Sequence, residues 1–425
     1  MRRRPVRHSV QQPGVQNFSL CKEDYTLSRS LRHGRSIVSI PGPSVMPERV
    51  LAAMHQSMPN IYEGDLIDVS NSLFADLPAI ARTSGNAYIA ICNGHGAWEM
   101  ALTNTLSRGD EVLVLESGTF ATNWGEMADT LGLKVRTVPG TDRDPVDPNA
   151  VEAALREDTA GKLKAVLVVQ VDTATSVKND IPAIRAAMDA AGHPALFMVD
   201  CIASLGCEAY EMDAWGIDIT VAASQKGLMV PPGLGFVWAS DKAMAAWQTA
   251  DLRTGYWDWG PRAGVEAHYL RYCGTPPIQH VYALRTALDM LQEEGLENVW
   301  WRHEKLAQAV HAAVTAWRQG GQIEFNISAP AARSNAVTTV RTGGIDADRL
   351  RDLAEHEAGL VLGLNVADFD GAFRIGHMGH LNPPMLLGTL GTIEATLLHL
   401  GADLPASGVA AAAASLAPHL TPATP

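Results

Sequence analysis

Six short runs of apolar residues recur along this chain with helix-patterned segments between them, and that alternation constrains the fold more than any other feature. The runs are Tyr88–Asn93, Glu111–Glu116, Leu163–Gln170, Ala195–Asp200, Asp218–Ser224 and Gly235–Ser240. Each is apolar at consecutive positions rather than at every second one, so each presents a hydrophobic surface on both faces of the strand it predicts. Strands of that kind lie inside a sheet covered by helices on both sides. The segments Trp98–Leu106, Asn123–Leu131 and Ile181–Ala191 supply helical periodicity between the strands, the last with Gly192 as a stop signal. Strand–helix–strand order of this sort predicts an α/β unit with a mostly parallel sheet.

The texture changes after Pro276–Pro277. Two long helical stretches follow, Ile278–Glu293 and Leu296–Trp317, then strand-like Ala336–Arg341, a helix near Ala347–Glu357 and strand-like Ala372–Gly376. The organisation read from this is a basic tail over 1–36, a large α/β unit over 37–275, a smaller α+β unit over 276–405 and an Ala/Pro-rich tail over 406–425, the last a frayed helix or loose end. No internal repeat is apparent.

Charge narrows the function classes. The 33 Lys and Arg against 46 Asp and Glu leave −13, a field that repels phosphate backbones and argues against a dedicated nucleic-acid binder. The first 35 residues run the other way, with eight Lys/Arg against Glu23 and Asp24, so the remainder carries −19. That opening reads as a disordered tail or an over-extended start, with an Arg-rich organelle transit peptide as the alternative. No apolar run approaches the roughly 20 residues that span a bilayer. The five cysteines, at 21, 92, 201, 207 and 273, form no CxxC pair, which excludes a cysteine-rich zinc site and favours a reducing, cytoplasmic setting. No metal site is expected.

Several common motifs are missing: no GxGxxG follows a strand, and GxxxxGK[ST], HExxH and a GxSxG triad are absent. What stands out instead lies at strand ends. Asn93-Gly94-His95-Gly96 joins a strand to a helix, and two glycines before unpaired helix N–H groups make a phosphate cradle. Taken alone, a tight turn with no ligand explains it as well. Asp200 ends a buried strand, where open α/β sheets bind ligands, although a helix N-cap is the plainer reading of one such residue. Lys226 follows Asp200 by 26 residues, between an apolar strand and the loop Met229–Gly233. Burial there lowers an amine's pKa and frees it to condense with an aldehyde, whereas a lone loop lysine is more simply solvated. Phe120 follows another strand end, as a core ring or as a ring stacked on a ligand. In combination, an anion cradle, a carboxylate, an amine and an aromatic ring are the parts of a pyridoxal 5'-phosphate site.

The sequence resembles the class V aminotransferases of the fold-type I pyridoxal phosphate group, and among them the serine/alanine/aspartate–glyoxylate branch. The resemblance spans about 38–400. It is carried by Pro41-Gly42-Pro43, Gly94-His95-Gly96-Ala97-Trp98-Glu99, Thr173–Val177, Val199–Gly206, Ser224-Gln225-Lys226-Gly227, Pro231-Pro232-Gly233 and Arg374–Gly379. It implies a seven-stranded-type sheet in the large unit and a homodimer with shared sites. Residue by residue, Lys226 matches the Schiff-base lysine and Asp200 the partner of the pyridine nitrogen. Gly94, His95 and Gly96 match the phosphate turn, Phe120 the stacked ring, Thr175 a residue on the ring-hydroxyl side and Gln225 a phosphate-side residue. Tyr272 and Thr275 match a pair reaching the neighbouring subunit's phosphate, and Arg374 matches the arginine that grips the substrate carboxylate.

Two positions depart from the family pattern, Ser176 and Asp172, and the latter predicts an extra acidic group near the ring. The aromatic stretch Tyr256–Arg262 reads either as the mouth of the site or as a packed interface. The activity implied is transfer of an amino group from serine, alanine or aspartate to glyoxylate. The alternatives are a pyridoxamine–pyruvate type transaminase, a desulfurase-like enzyme, disfavoured because no cysteine follows Cys273, and a catalytically silent binding protein on the same fold.

Overall fold

The computed structural model describes residues 30–263 and 267–420. Residues 1–29 and 421–425, which hold most of the basic tail and the chain's last residues, lie outside the described part.

Strand β1 (Ile37–Ser39) comes first. It is followed by β2 (Asn86–Cys92), β3 (Glu111–Leu115), β4 (Lys134–Val138), β5 (Leu163–Val169), β6 (Leu196–Asp200), β7 (Ile219–Ala223) and β8 (Gly233–Ala239). The last seven form one sheet in the order β2-β8-β7-β6-β5-β3-β4. Only β8 runs antiparallel to its neighbours; every other adjacent pair is parallel.

Consecutive residues of the apolar runs face opposite sides, so the sheet builds two cores. Leu113, Val166, Phe197 and Val199 pack on one face against helices Asp65–Ile80, Ile181–Ala191 and Ile278–Glu294. Val112, Val114, Leu167 and Met198 pack on the other against helices Gly94–Thr105 and Thr119–Thr130. Helix Ile181–Ala191 has the bounds its pattern predicts: Asp180 accepts the Ala183 N–H at 3.0 Å, and Gly192 ends it at φ 64°.

The second unit contains β9 (Ile323–Phe325), β10 (Val337–Thr342), β11 (Leu360–Leu362) and β12 (Ala372–Gly376). An antiparallel sheet β12-β10-β9 packs on helices Leu296–Trp317, Ala347–Ala358 and Pro383–His399 around Val310, Trp317, Phe373, Ile375 and Leu390. Strand β11 pairs instead with β1, in parallel, with Ile37 opposite Leu360.

Three features differ from the sequence reading. Strand β4 escaped it because Lys134–Val138 sits at the sheet edge and alternates charged and apolar residues, so it lacks the two-faced signature. Helix Ile278–Glu294, assigned to the smaller unit by the break at Pro276–Pro277, buries Val281, Leu284 and Leu288 in a core of the large sheet. The tail beginning at 406 is not loose over its first part. Residues Gly408–Leu416 form a helix whose Ala412 and Leu416 enter the core of the second unit.

One carboxylate fixes that last helix. Glu394 accepts from Ser407 Oγ at 2.7 Å and Val409 N at 3.1 Å on the helix, and from Trp317 Nε1 at 2.8 Å beneath it. Removing the carboxylate leaves the buried Trp317 indole N–H and the Val409 N–H without their acceptor. Glu394→Ala is expected to lower stability by about 1–3 kcal/mol. Urea denaturation followed by circular dichroism reads this as a lower midpoint at unchanged m-value.

Candidate active site

The parallel strands deliver their carboxyl ends to one edge, and a cavity of about 180 Å³ opens there, lined among others by Gly94, His95, Trp98, Phe120, Thr173, Asp200, Gln225 and Lys226. The connection from β2 enters helix Gly94–Thr105 without an intervening loop. Asn93 caps it, its Oδ1 accepting the His95 N–H at 3.1 Å. Neither glycine admits a side chain: a Cβ on Gly94 would lie 2.4 Å from Ile202 Cδ1, and one on Gly96 would lie 2.6 Å from Cys92 Cβ. The turn therefore stays bare of side chains at these two positions, which leaves the helix N-terminus approachable by an anion.

Asp200, the last residue of β6, is 3 % exposed. Its Oδ2 accepts Trp98 Nε1–H at 2.8 Å and its Oδ1 accepts the Ile202 N–H at 2.6 Å. Burial pushes its carboxyl up to about 7, against the pull of these two donors. Trp98 stacks on Trp124 at 5.8 Å between ring centroids and meets His95 at 4.7 Å, so the donor is held on both sides. Sequence reasoning did not give Trp98 a role. The signal available was an indole in the first turn of a helix that starts at a ligand-facing strand end, where a buried N–H needs an acceptor.

Lys226 projects into the same cavity from the loop after β7. Its Nζ donates to Pro41 O. Burial, and next the charge of Arg374, pull its pKa down to about 8. The segment Pro41–Ser44 lies directly on it: Ser44 Oγ donates to Lys226 O at 2.7 Å and Ser44 N to Gln225 O at 2.9 Å. Gly42, at φ 100°, has no room for a Cβ, which would lie 2.5 Å from Lys226 Nζ. The Gln225 amide makes no hydrogen bond to protein among the described residues, and its Oε1 is buried in the cavity wall.

The remaining predicted residues divide. Phe120 lines the cavity, edge-on to Trp98 at 6.4 Å. Thr175 is displaced from its expected role: it is fully buried, its Oγ1 bonds Ser117 O at 3.1 Å, and Thr173 lines the cavity instead. The turn is closed by Ser176 N on Asp172 O, and which of its threonines meets the cavity depends on that closure rather than on any sequence pattern. Arg374, on β12, is buried and donates to Leu364 O at 2.6 Å and Thr173 O at 2.8 Å, so it stands beside the cavity across Thr173. Asp172, expected near the ring, is fully buried and bonded to backbone N–H groups.

Tyr272 and Thr275 separate. Tyr272 is buried, its hydroxyl engaged with Ser70 and its pKa pushed by burial to about 12, whereas Thr275 is exposed. The aromatic stretch belongs mainly to the interior. Trp259 stacks on Tyr88 at 5.1 Å and 6°, Trp257 packs over Gly96, and only Tyr256 is exposed. Among the described residues no group of His, Cys, Asp and Glu could hold a metal ion, and no helix is long and apolar enough to cross a membrane.

An amine and a carboxylate buried together beside a helix N-terminus, at the strand ends of a mainly parallel α/β sheet, define a fold-type I site for a phosphorylated aldehyde cofactor. The Aminotransferase class-V family matches residues 91–375. A serine–glyoxylate aminotransferase of Methylorubrum extorquens is 38% identical over 400 residues, covering 92% of this chain and 98% of its own. An L-aspartate–glyoxylate aminotransferase of Paracoccus denitrificans is 36% identical, covering 88% and 94%. The crystal structure of a ureidoglycine–glyoxylate aminotransferase of Bacillus subtilis superposes with a TM-score of 0.82 at 25% identity, covering 92% and 100%. The chain belongs to the class V aminotransferases, and that membership implies pyridoxal phosphate as its cofactor. The residues present fit the group: an open helix N-terminus and an unpartnered Gln225 amide for its phosphate, Asp200 for its ring nitrogen and Lys226 for its aldehyde.

The shifted groups set how the cofactor-free chain responds to pH. Asp200 holds its proton to about 7 when folded but only to 3.8 as a free side chain, so stability falls as pH rises through that window. Lys226 shifts the opposite way, from 10.5 to about 8, and stability rises between those values. Urea midpoints measured on cofactor-free protein from pH 4 to 7.5 are expected to decline in the wild type and to decline less in Asp200→Asn, where burial still raises the Asp172 and Glu208 carboxyls. An equal decline in both proteins refutes the assignment of that proton to Asp200.

Proposed function

We propose that this chain is a pyridoxal phosphate-dependent transaminase that moves the amino group of a small amino acid (serine, alanine or aspartate) to glyoxylate. The observation that carries the reading is the enclosure of Lys226 and Asp200 in one cavity, in a chain 38% identical to a serine–glyoxylate aminotransferase over nearly its full length. The aspartate–glyoxylate relative supports the same acceptor and leaves the donor among small amino acids.

The cofactor, when bound, supplies an electron sink for the charge that develops at the substrate α-carbon. Everything else falls to the chain. Lys226 Nζ is the amine that would hold the cofactor aldehyde, and as a free amine it would serve as general base and then acid at the substrate α-carbon. Its depressed pKa near 8 keeps a usable neutral fraction at working pH. Asp200, oriented by Trp98 and the Ile202 N–H, holds the proton of the ring nitrogen. A cationic partner there lowers the carboxyl's pKa, so the protonation it favours in the empty cavity reverses on loading. Arg374 receives the substrate carboxylate, for which a planar guanidinium offers paired donors. The Pro41–Ser44 segment closes over Lys226 and limits water at its amine.

A homodimer is part of the proposal. Thr275 is exposed and available to a second copy, while the Tyr272 hydroxyl, held by Ser70, is expected to stay within its own subunit. A cytoplasmic setting is also proposed, in keeping with free thiols at Cys92, Cys201, Cys207 and Cys273.

A donor panel with glyoxylate as acceptor, read out as glycine, tests the reaction; free pyridoxamine belongs in the panel to expose the alternative transaminase chemistry. Lys226→Ala is expected to abolish turnover and the visible absorbance of the protein-bound cofactor, and retained turnover would rule out this lysine as the carrier. Arg374→Ala is expected to raise KM for glyoxylate at least about tenfold while cofactor affinity changes less. An unchanged KM removes Arg374 from the carboxylate site.

A further inference from the structure

Asp172 is the one buried carboxylate beside the cavity that the proposed reaction leaves without a task. Its Oδ2 accepts the N–H groups of Phe120 at 2.8 Å and Ala121 at 3.2 Å; its Oδ1 accepts the Ala174 N–H at 2.9 Å. These donors belong to two separate walls of the site. Phe120 and Ala121 open helix Thr119–Thr130, whose N-cap, Gly118, offers no side chain of its own. Ala174 lies in the turn whose preceding residue, Thr173, lines the cavity and accepts from Arg374 Nη1 at 2.8 Å. Gly118 leaves the space the carboxylate occupies, since a Cβ there would stand 2.6 Å from Asp172 Cγ.

We infer that Asp172 is a positioning residue: one buried carboxylate ties the Phe120 wall to the Thr173 turn, and through Thr173 it sets where Arg374 presents its guanidinium to a substrate carboxylate. The inference rests on the carboxylate-binding role proposed for Arg374. The sequence expectation is an extra acidic group near the ring; here the effect of that acid on the substrate runs through the backbone. The carboxylate oxygens point at backbone donors, and three charge-assisted hydrogen bonds hold them there.

The chemistry of an amide makes the link testable. In Asp172→Asn the side-chain oxygen keeps two donors by staying with Phe120 and Ala121. Its NH2 then faces the Ala174 N–H, donor against donor, and the Thr173 turn loses its anchor. Ala174→Pro cuts the same link from the backbone side and leaves the carboxylate on the helix, so it serves where the first variant fails to fold.

The measurement is calorimetric titration of the cofactor-free chain with oxamate, an unreactive monocarboxylate, alongside KM for glyoxylate in the loaded enzyme. Each variant is expected to weaken oxamate binding and raise KM about tenfold, with kcat and cofactor absorbance changing less. In an Arg374→Ala background, Asp172→Asn is expected to add less than about twofold, because the two changes break one chain of contacts. Unchanged oxamate affinity overturns the inference, and so do full multiplicative losses in the double variant. Wild-type protein that binds oxamate but transfers no amino group to glyoxylate refutes the transaminase reading alone, and the variants still decide the role of Asp172.

Discussion

Holding an amine and a carboxylate away from water at neighbouring strand ends is the constraint on which the rest of this structure depends. Neither group is stable there by itself: burial drives the Asp200 carboxyl upward and the Lys226 amine downward. The chain answers with local donors and acceptors rather than with a direct ion pair. Trp98 and the Ile202 N–H attend Asp200, and Pro41 O attends Lys226. Each of these partners comes from a different part of the chain, so the sheet, helix Gly94–Thr105 and the N-terminal segment must all be in place before the cavity has its chemistry.

That dependence explains which parts of the molecule could be read directly from sequence. The central strands were legible because burial on both faces leaves a continuous apolar run, as over Ala165–Val169. Strand β4 was not, because an edge strand with one wet face carries charge at alternate positions. Helix Leu296–Trp317 showed itself through length and period. The helix at Gly408–Leu416 has alanine at five of its nine positions, and its anchoring to Glu394 comes from 13 to 15 residues upstream, beyond any local pattern.

The site followed the same rule. Gly94, Asp200 and Lys226 stood out because position at a strand end is a local property. The partition between Thr173 and Thr175 was hidden because it depends on how a turn curls against Ser117. The task of Asp172 was hidden because two of its three donors lie at a sequence distance of about 50 residues on another element. Tyr272 illustrates the limit of motif matching: its spacing to Thr275 fits the family pattern, yet its hydroxyl is spent on Ser70 within the same chain. Family membership supplies the kind of chemistry expected, and the hydrogen bonds show which atoms are free to take part in it.

The pairing of Ile37–Ser39 with Leu360–Leu362 has a consequence for how the protein is made. The segment that shelters Lys226 emerges from the ribosome early, but the strand that secures it is translated more than 300 residues later. Until then the cover over the reactive amine is held by Ser44, through its bonds to Gln225 O and Lys226 O. A nascent chain in that condition has no finished carboxylate pocket either, since Arg374 follows Leu362 by only 12 residues. The cover over the amine and the arginine beside the cavity are therefore completed by neighbouring stretches of the late-made chain.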